Sequence, residues 1–359
     1  MKCLPKYSLR GFSKWTVFII ILTAIIPLYN EIISFDLASL QWTHLNTTDQ
    51  KTLKILFVAD PQIVGLVNEH WLLGYITRWD CDRYIKNGFS RALEHVKPDV
   101  IIFLGDLFDE GSRATDTQYA TYVERFSNIF VDPYLIRRIY IPGDNDVGGE
   151  GFDFLENWKL QRFHRHFPCL NDPVVRIGDF VDVIRMNNYK DRLDQGVLDL
   201  NEINKKSTNN IKMFISHLGV IDYYYYMKDK IEKISPNIIV AGHEHHSSYL
   251  KCQKCLTKNS VETSYSFDEN HNILKDKLRG KSTVYQITVP TCSYRMGTAK
   301  AGYGYMAIDG NSRMQYTVLW LPQRYPQLFL YLGYLLLLLL AVSVRKCCSA
   351  RVKLYSIRC

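Results

Sequence analysis

The run Val100-Ile101-Ile102-Phe103-Leu104-Gly105-Asp106 constrains this chain more than any other stretch. Consecutive apolar residues, mostly β-branched or aromatic, form a strand buried on both faces, and such strands belong to parallel α/β sheets. The glycine and carboxylate that follow lie at the carboxyl edge of the sheet, where ligands and metals collect. Asp106 is therefore the first candidate functional residue. Other segments repeat the design: residues 51–60 (KTLKILFVAD) end on Asp60, and residues 137–141 run into Pro142-Gly143-Asp144-Asn145-Asp146. Residues 211–216 deliver His217, and residues 237–241 deliver Gly242-His243-Glu244-His245-His246.

Between these ends the periodicity changes. Apolar residues at helical spacing (Trp71, Ile76, Trp79, Ile85, Phe89, Leu93, Val96) predict a helix over 69–97 that stops at Pro98. A strand-helix-strand order of this kind predicts a right-handed parallel crossover. Further helices are expected over 115–131 and 152–167, and short strands at 174–177, 180–185, 283–289, 304–308 and 315–320. Residues 251–282, rich in Lys, Asn and Ser, read as a polar surface insertion.

Two apolar runs frame this domain. Residues 15–28 (WTVFIIILTAIIPL) are flanked by further apolar positions, and residues 328–344 (LFLYLGYLLLLLLAVSV) carry no charge, enough for a membrane span of about 17 to 25 residues. The first run could be a span or a signal peptide; Pro27-Leu28-Tyr29-Asn30 offers no small-residue cleavage site, which favours an anchor. Lys2, Lys6, Arg10 and Lys14 precede the first run, and Arg345, Lys346, Arg351, Lys353 and Arg358 follow the second, with no acid in either tail. The positive-inside rule then makes both ends cytosolic. The expected organisation is a cytosolic tail (1–14), a transmembrane helix (15–32), a lumenal connector (33–50), a lumenal domain (51–321), a second transmembrane helix (328–344) and a cytosolic tail (345–359). Nine of the 44 Lys and Arg lie in the tails, leaving 35 against 36 Asp and Glu, so the +8 net charge reflects topology and argues against nucleic-acid binding.

In a lumenal setting the Asn46-Thr47-Thr48 sequon marks Asn46 for glycosylation. Cys347 and Cys348, beside a span and basic residues, form a palmitoylation pair. Cys81, Cys169, Cys252, Cys255 and Cys292 face an oxidising lumen, where a Cys252 to Cys255 disulfide is expected.

A single Asp after a strand is ordinarily a helix cap. Caps alone would not select acids and imidazoles together at successive strand ends, so the combined pattern points to metal. Asp and His at one sheet edge can hold two divalent ions sharing a bridging carboxylate, an arrangement that clamps a phosphate and activates water.

The series Asp60-x-x, Gly105-Asp106-x-x-Asp109, Gly143-x-x-Asp146, isolated His217 and Gly242-His243-x-His245 resembles the calcineurin-like metallophosphoesterase superfamily over about residues 53–320. The resemblance implies an α/β fold, a two-sheet sandwich here flanked by terminal transmembrane helices. Residues 105–111 (GDLFDEG) and 289–296 (VPTCSYRM), with the two spans, resemble a narrower membrane-bound branch of the early secretory pathway that removes ethanolamine phosphate from GPI anchors. Membership would imply a GPI glycolipid or GPI-anchored proteins as substrate, cargo export receptors as partners, and a two-pass location in the membrane of the endoplasmic reticulum, its exit sites or the Golgi.

By position, the resemblance assigns Asp60 and His245 to the first metal, Asp106 to the bridge, and Asp144, His217 and His243 to the second. Two positions depart from the pattern. Gln62 stands where an Asp-x-His imidazole would ligate, and Asp144-Asn145 stand where the family has Asn-His. Gln62 keeps at most an amide oxygen for the metal, and Asp144 adds a hard anionic ligand, so Mn²⁺ is favoured, with Mg²⁺ next, over Zn²⁺. Asn145 cannot donate the proton that the family's histidine gives to the leaving alkoxide, although it can orient a phosphate. His246 and His70 are the replacements within reach in sequence. Two alternatives stand beside the phosphodiesterase: a weakened phosphoesterase-fold module that binds GPI-linked cargo for export, and a lumenal nucleotide or sugar-nucleotide phosphoesterase.

Overall fold

Parallel strand pairing brings the expected strand ends to a common edge. In a computed structural model, residues 14–45, 51–168, 174–185, 205, 210–221, 233–253, 261–267, 273–278 and 283–356 are described. One sheet contains β1 (Thr52–Val58), β2 (Val100–Phe103), β3 (Arg137–Tyr140), β10 (Leu274–Lys277), β12 (Gly302–Asp309) and β13 (Arg313–Trp320), in the order β10-β13-β12-β1-β2-β3. The other contains β4 (Val174–Ile177), β5 (Val181–Arg185), β6 (Ile211–Ser216), β7 (Ile238–Ala241), β8 (Ser248–Gln253), β9 (Val261–Ser266) and β11 (Thr283–Thr288), in the order β4-β5-β6-β7-β11-β8-β9. Strands β1, β2 and β3 run parallel, as do β5, β6, β7 and β11.

The two sheets share one core. Ile55, Phe57 and Ile102 of the first belong to the same buried cluster as Met213, Ile215, Val240 and Ile287 of the second. Alternate residues on β2 point the other way, since successive strand side chains take opposite faces. Phe103 thus meets Phe126 and Phe130, each at 5.2 Å between ring centroids, beneath the helices that cover this face. These are α3 (Gly74–Val96) and α4 (Asp116–Ile129), the latter opened by a Thr115/Gln118 capping box. The outer face of the second sheet buries Ile184, Phe214 and Ile239. The chain is therefore an α/β protein built as a two-sheet sandwich.

Two expectations change. The helix expected over 69–97 begins at Gly74, and only the later part of its apolar stripe is core: Ile85, Phe89, Leu93 and Val96 are buried, whereas Trp71, Ile76 and Trp79 are more than half exposed. Ile85 follows Ile76 by nine residues, about two and a half turns, so the two lie on opposite faces of α3, and Trp71 precedes the helix. The polar segment 251–282 is not a plain insertion either. It completes β8 and supplies β9 and β10, the latter two at sheet edges, and residues 263–266 of β9 are all exposed, which is where Thr, Ser and Tyr are tolerated.

Cys252 is disulfide-bonded, and the expected partner Cys255 lies outside the described residues. Cys81 and Cys292 are buried free thiols. Asn46 and the side chains of Cys347 and Cys348 also lie outside the described residues.

The terminal helices form a compact unit of their own, distinct from 37–322. Helix α1 (Lys14–Leu28) continues through a π-helical turn (Tyr29–Ile33) into α2 (Ser34–Leu40), so residues 33–40 of the expected connector are helical. The other is α7 (Arg324–Ser356). Thr16–Leu40 and Arg324–Val344 are both long and apolar enough to cross a membrane. Polar bonds tie the two: Glu31 accepts from Arg324 at 2.8 Å and Tyr331 at 2.9 Å, and Gln327 donates to Ser34 at 2.8 Å.

The difference between the two parts of the α3 stripe is measurable. Ile85→Ala in the buried part lowers unfolding stability by about 2 to 5 kcal/mol, whereas exposed Ile76→Ala changes it by less than about 0.5 kcal/mol. Denaturant titration of the full chain in detergent checks both, and a comparable loss at Ile76 would contradict the exposure of that face.

Candidate metal centre

Strands β1, β2, β3, β6 and β7 each end in a short loop that carries one or more of the candidate residues to the same edge. These loops are conformationally costly. Asp60, Gln62, Asp106, His243 and His245 all have positive φ, at 48°, 38°, 50°, 70° and 58°. Non-glycine residues in this region each cost about 1 to 3 kcal/mol and persist where the surroundings over-determine them. Here the loops interlock: Gln62 N donates to Asp106 O at 2.9 Å, Asp60 N to Gly105 O at 3.3 Å, and His243 N to the Asp60 carboxylate at 3.0 Å. Two glycines permit the approach. A Cβ on Gly143 would lie 2.0 Å from Asp106 Oδ1, and one on Gly105, whose φ is +94°, would lie 2.6 Å from His217 Nδ1.

Two donor groups result. Asp106, Asp144, His217 and His243 form one, and Asp60, Asp106 and His245 the other, each with its ligand atoms within 4.8 Å of one another. Asp106 is common to both. In the first group His217 Nε2 lies 3.0 Å from Asp144 Oδ1 and 3.5 Å from Asp106 Oδ1, and His243 Nδ1 lies 3.2 Å from Asp144 Oδ1 and 3.3 Å from His217 Nε2. Convergence of two ring nitrogens and two carboxylates suits a shared cation. His217 Nδ1 meets Leu104 O at 2.8 Å and His245 Nδ1 meets Met296 O at 3.3 Å, which directs the Nε2 atoms of both inward.

The electrostatics fit the same group. Asp60 and Asp106 are buried, and among the described residues neither pairs with Lys or Arg. Burial pushes the Asp60 carboxyl up to about 7 against the pull of His217, and burial likewise raises Asp106. Burial alone would raise Asp144 too, but hydrogen bonds with His217 and His243 hold it well below the carboxylate range. Burial opposes protonation of His217, yet Asp106, Asp144 and Asp60 outweigh it and raise the imidazole. Carboxylates this deep require compensating positive charge. The donor set of hard carboxylates and imidazoles around a shared acid fits two divalent cations.

Both departures from the family pattern sit at Asp106. Gln62 Nε2 lies 3.0 Å from Asp106 Oδ2 and 3.2 Å from His245 Nε2. Asn145 donates from its backbone to Asp106 Oδ1 and from its side chain to Oδ2, both at 2.9 Å. His246 and His70 are not brought into the cluster. His246 is exposed and bonds the Glu244 carbonyl at 2.8 Å, while exposed His70 accepts from Leu72 N and Leu73 N at the start of α3.

Sequence reasoning left three carboxylates without a role. Buried Asp146 accepts from Leu107 N and Phe108 N at 3.1 Å and from Gly143 N at 2.9 Å, pinning the β2 and β3 loops together. Its only signal was the last letter of Gly143-x-x-Asp146. Glu110 accepts from Val67 N at 3.0 Å and Asn68 N at 2.6 Å, fixing the loop after Gln62. Glu150 shares a hydrogen bond with Asp144 and is raised by it, and nothing in the sequence marked it.

A two-sheet α/β sandwich with paired carboxylate and imidazole groups at its carboxyl edge defines the class of metal-dependent phosphoester hydrolases. Residues 53–247, more than half of the chain, match the family model for calcineurin-like phosphoesterases, and the chain belongs to that family. It is similar to metallophosphoesterase 1 of Ailuropoda melanoleuca, 36% identical over 126 residues that cover 35% of this chain and 30% of that protein. The corresponding protein of Macaca fascicularis is 29% identical over 172 residues, covering 45% of this chain and 42% of its own. The matched stretch thus spans less than half the length of these relatives. A purple acid phosphatase from yellow lupin seeds aligns with a TM-score of 0.45 at 12% identity, covering 75% of this chain and 52% of that one.

The packing at Gly143 gives a direct test. Gly143→Ala places a methyl on the Asp106 carboxylate, so the purified protein loses bound divalent metal by elemental analysis while far-UV circular dichroism stays unchanged. Retention of the unsubstituted metal content would contradict the bridging geometry.

Proposed function

We propose that this chain is a membrane-anchored, metal-dependent phosphodiesterase that removes ethanolamine phosphate from GPI anchors in the endoplasmic reticulum, its exit sites or the Golgi, and so promotes export of GPI-anchored proteins. The observation that carries the reading is the sharing of Asp106 by two donor groups, which is the arrangement a two-metal phosphoesterase needs. The disulfide at Cys252 suits an oxidising lumen, and the two terminal helices suit a two-pass anchor. A substrate that is itself a lipid suits a domain held at the bilayer.

Bound at the centre, two divalent cations would supply Lewis acidity toward the phosphoester and toward the attacking water. The protein's part is placement and proton handling. Leu104 O and Met296 O orient His217 and His245, and Asn145 holds the bridging carboxylate from two sides. An amide gives up no proton, so the leaving alkoxide needs another donor. We assign this to Asp109, three residues beyond Asp106, which is half-buried and makes no side-chain hydrogen bond among the described residues. Burial, reinforced by Glu110, raises its carboxyl to about 6. A second reading, a binding module for GPI-linked cargo without turnover, draws on Asn145 standing where an imidazole would donate.

Three outcomes are expected. Wild-type protein releases ethanolamine phosphate from a GPI glycan bearing it on a side branch, and Asp106→Asn abolishes metal-dependent release; binding without release would favour the module, and turnover of nucleotide esters alone would favour the third alternative. Metal titration of activity ranks Mn²⁺ and Mg²⁺ above Zn²⁺, and tightest activation by Zn²⁺ contradicts the ligand assignment. Because Asp109 donates only when protonated, kcat falls as pH rises through about 6. Asp109→Asn removes that limb and lowers kcat by roughly 10² to 10⁴ at unchanged metal content; a wild-type pH profile in the variant would exclude Asp109 as donor.

A further inference from the structure

The rim of the metal centre carries an apolar surface that the site itself does not use. Between Leu66 and Trp79, eight large apolar side chains are exposed, among them Trp71 at 84%, Tyr75 at 72% and Leu72 at 58%. On the first turns of α3 the usual polarity is reversed. Tyr75, Ile76 and Trp79 face outward, while Asp80 is buried and accepts from Tyr294 OH at 2.7 Å. A soluble helix shows its charged face to water and its apolar face to the core. Exposed apolar patches of this extent mark contact surfaces.

The patch is joined to the centre by short links. Glu69, two residues before Trp71, pairs with Arg295 at 2.6 Å, and the carbonyl of the next residue, Met296, holds His245. Glu110 anchors Val67 and Asn68 from the Asp106 loop. The segment that carries the patch is therefore tied to the Asp106 and His245 loops at residues 67–69, and to Tyr294 through Asp80.

We propose that this rim, centred on Trp71, Leu72, Tyr75 and Trp79, docks onto a phospholipid bilayer surface and holds the mouth of the metal centre against the headgroup layer. The inference rests on the reading of the terminal helices as membrane anchors and adds a third, peripheral contact. Its composition suits a lipid surface: Trp and Tyr have an apolar body and a polar edge and concentrate at headgroup depth. Charge agrees. The acids of the segment are turned to internal partners, Glu69 to Arg295, Asp80 to Tyr294 and Asp82 to Arg125. Arg83 lies over the Trp79 ring at 4.6 Å and Lys86 is exposed, which leaves the outer surface apolar with a basic fringe suited to phosphate headgroups.

Photocrosslinking tests this on the full chain reconstituted into phosphatidylcholine vesicles. A benzoylphenylalanine replaces Leu72 in the rim, Leu135 in the loop before β3 at the opposite sheet edge, or Leu336 in α7; all three positions are exposed. Each variant should keep the unfolding temperature of the unsubstituted chain. The expected result is lipid adduct at Leu72 and Leu336 and none at Leu135. Adduct at Leu336 without any at Leu72 overturns the docking surface alone, and so does crosslinking of Leu72 to a second copy or another protein. Absence of lipid adduct at both overturns the anchor reading and the docking surface together.

Discussion

Asp106 is the constraint on which the rest of the molecule is arranged. Its carboxylate is buried at the meeting point of the two sheets, with no lysine or arginine beside it among the described residues. An uncompensated buried carboxylate costs several kcal/mol, so its surroundings must supply positive charge and hydrogen-bond donors. Both needs shape the fold locally. Asn145 and Gln62 supply donors; His217, whose Nε2 lies 3.5 Å away, supplies an imidazole. For these groups to reach Asp106, the β2 and β3 loops must approach almost to backbone contact, which is why Gly105 and Gly143 admit no side chain.

The strain of the site is distributed and then locked. Five non-glycine residues of the donor loops adopt positive φ, beside Gly105. The backbone bonds between these loops are reinforced by a second tier of bonds: Asp146 gathers three backbone N–H groups of the β2 and β3 loops, and Glu110 gathers two more at the rim. A carboxylate accepting several backbone hydrogen bonds is rigid as well as satisfied. The donor atoms are thereby placed before any cation arrives, and binding need not pay for loop ordering. The same rigidity extends outward to Glu69 and Arg295, so the exposed Trp71 segment is carried by the frame of the site.

Much of this was legible in the sequence because a buried parallel strand is a continuous apolar run and its end is marked by a change to Gly, Asp or His. Asp60, Asp106, Asp144, His217, His243 and His245 could all be placed at one edge on that basis, and they lie together. Less was legible where the determining partner is remote in sequence. The apolar spacing over 69–97 put Ile76 and Trp79 in one stripe with Ile85 and Phe89, but about two and a half turns separate Ile76 from Ile85, and only the later residues face the sheet. Glu110 and Asp146 are single acids in loops, indistinguishable by composition from solvated ones. The edge strand β9 carries no apolar alternation because residues 263–266 are exposed on both faces, which leaves no buried face for a pattern to mark. His246, adjacent to His245 in sequence, is turned away, since neighbouring residues in a tight turn project in different directions.

The two departures from the family pattern acquire a joint physical meaning at Asp106. In each case an amide stands where an imidazole is usual, and both amides donate to the same oxygen, Oδ2, at 3.0 Å from Gln62 and 2.9 Å from Asn145. An imidazole can ligate, donate or transfer a proton according to its charge state; an amide only ligates through oxygen or donates a hydrogen bond, and does so at any ordinary pH. The exchange therefore keeps the carboxylates around Asp106 while removing an imidazole ligand at Gln62 and proton transfer at Asn145. In the proposed mechanism proton supply falls to a carboxyl, and a carboxyl can serve near neutrality only if its surroundings disfavour the anion. Asp109 meets that condition through burial and through Glu110, whose own carboxylate is fixed by Val67 N, Asn68 N and Tyr122 OH. The bonds that hold the rim in place thus also position the carboxylate that acts on the group beside it.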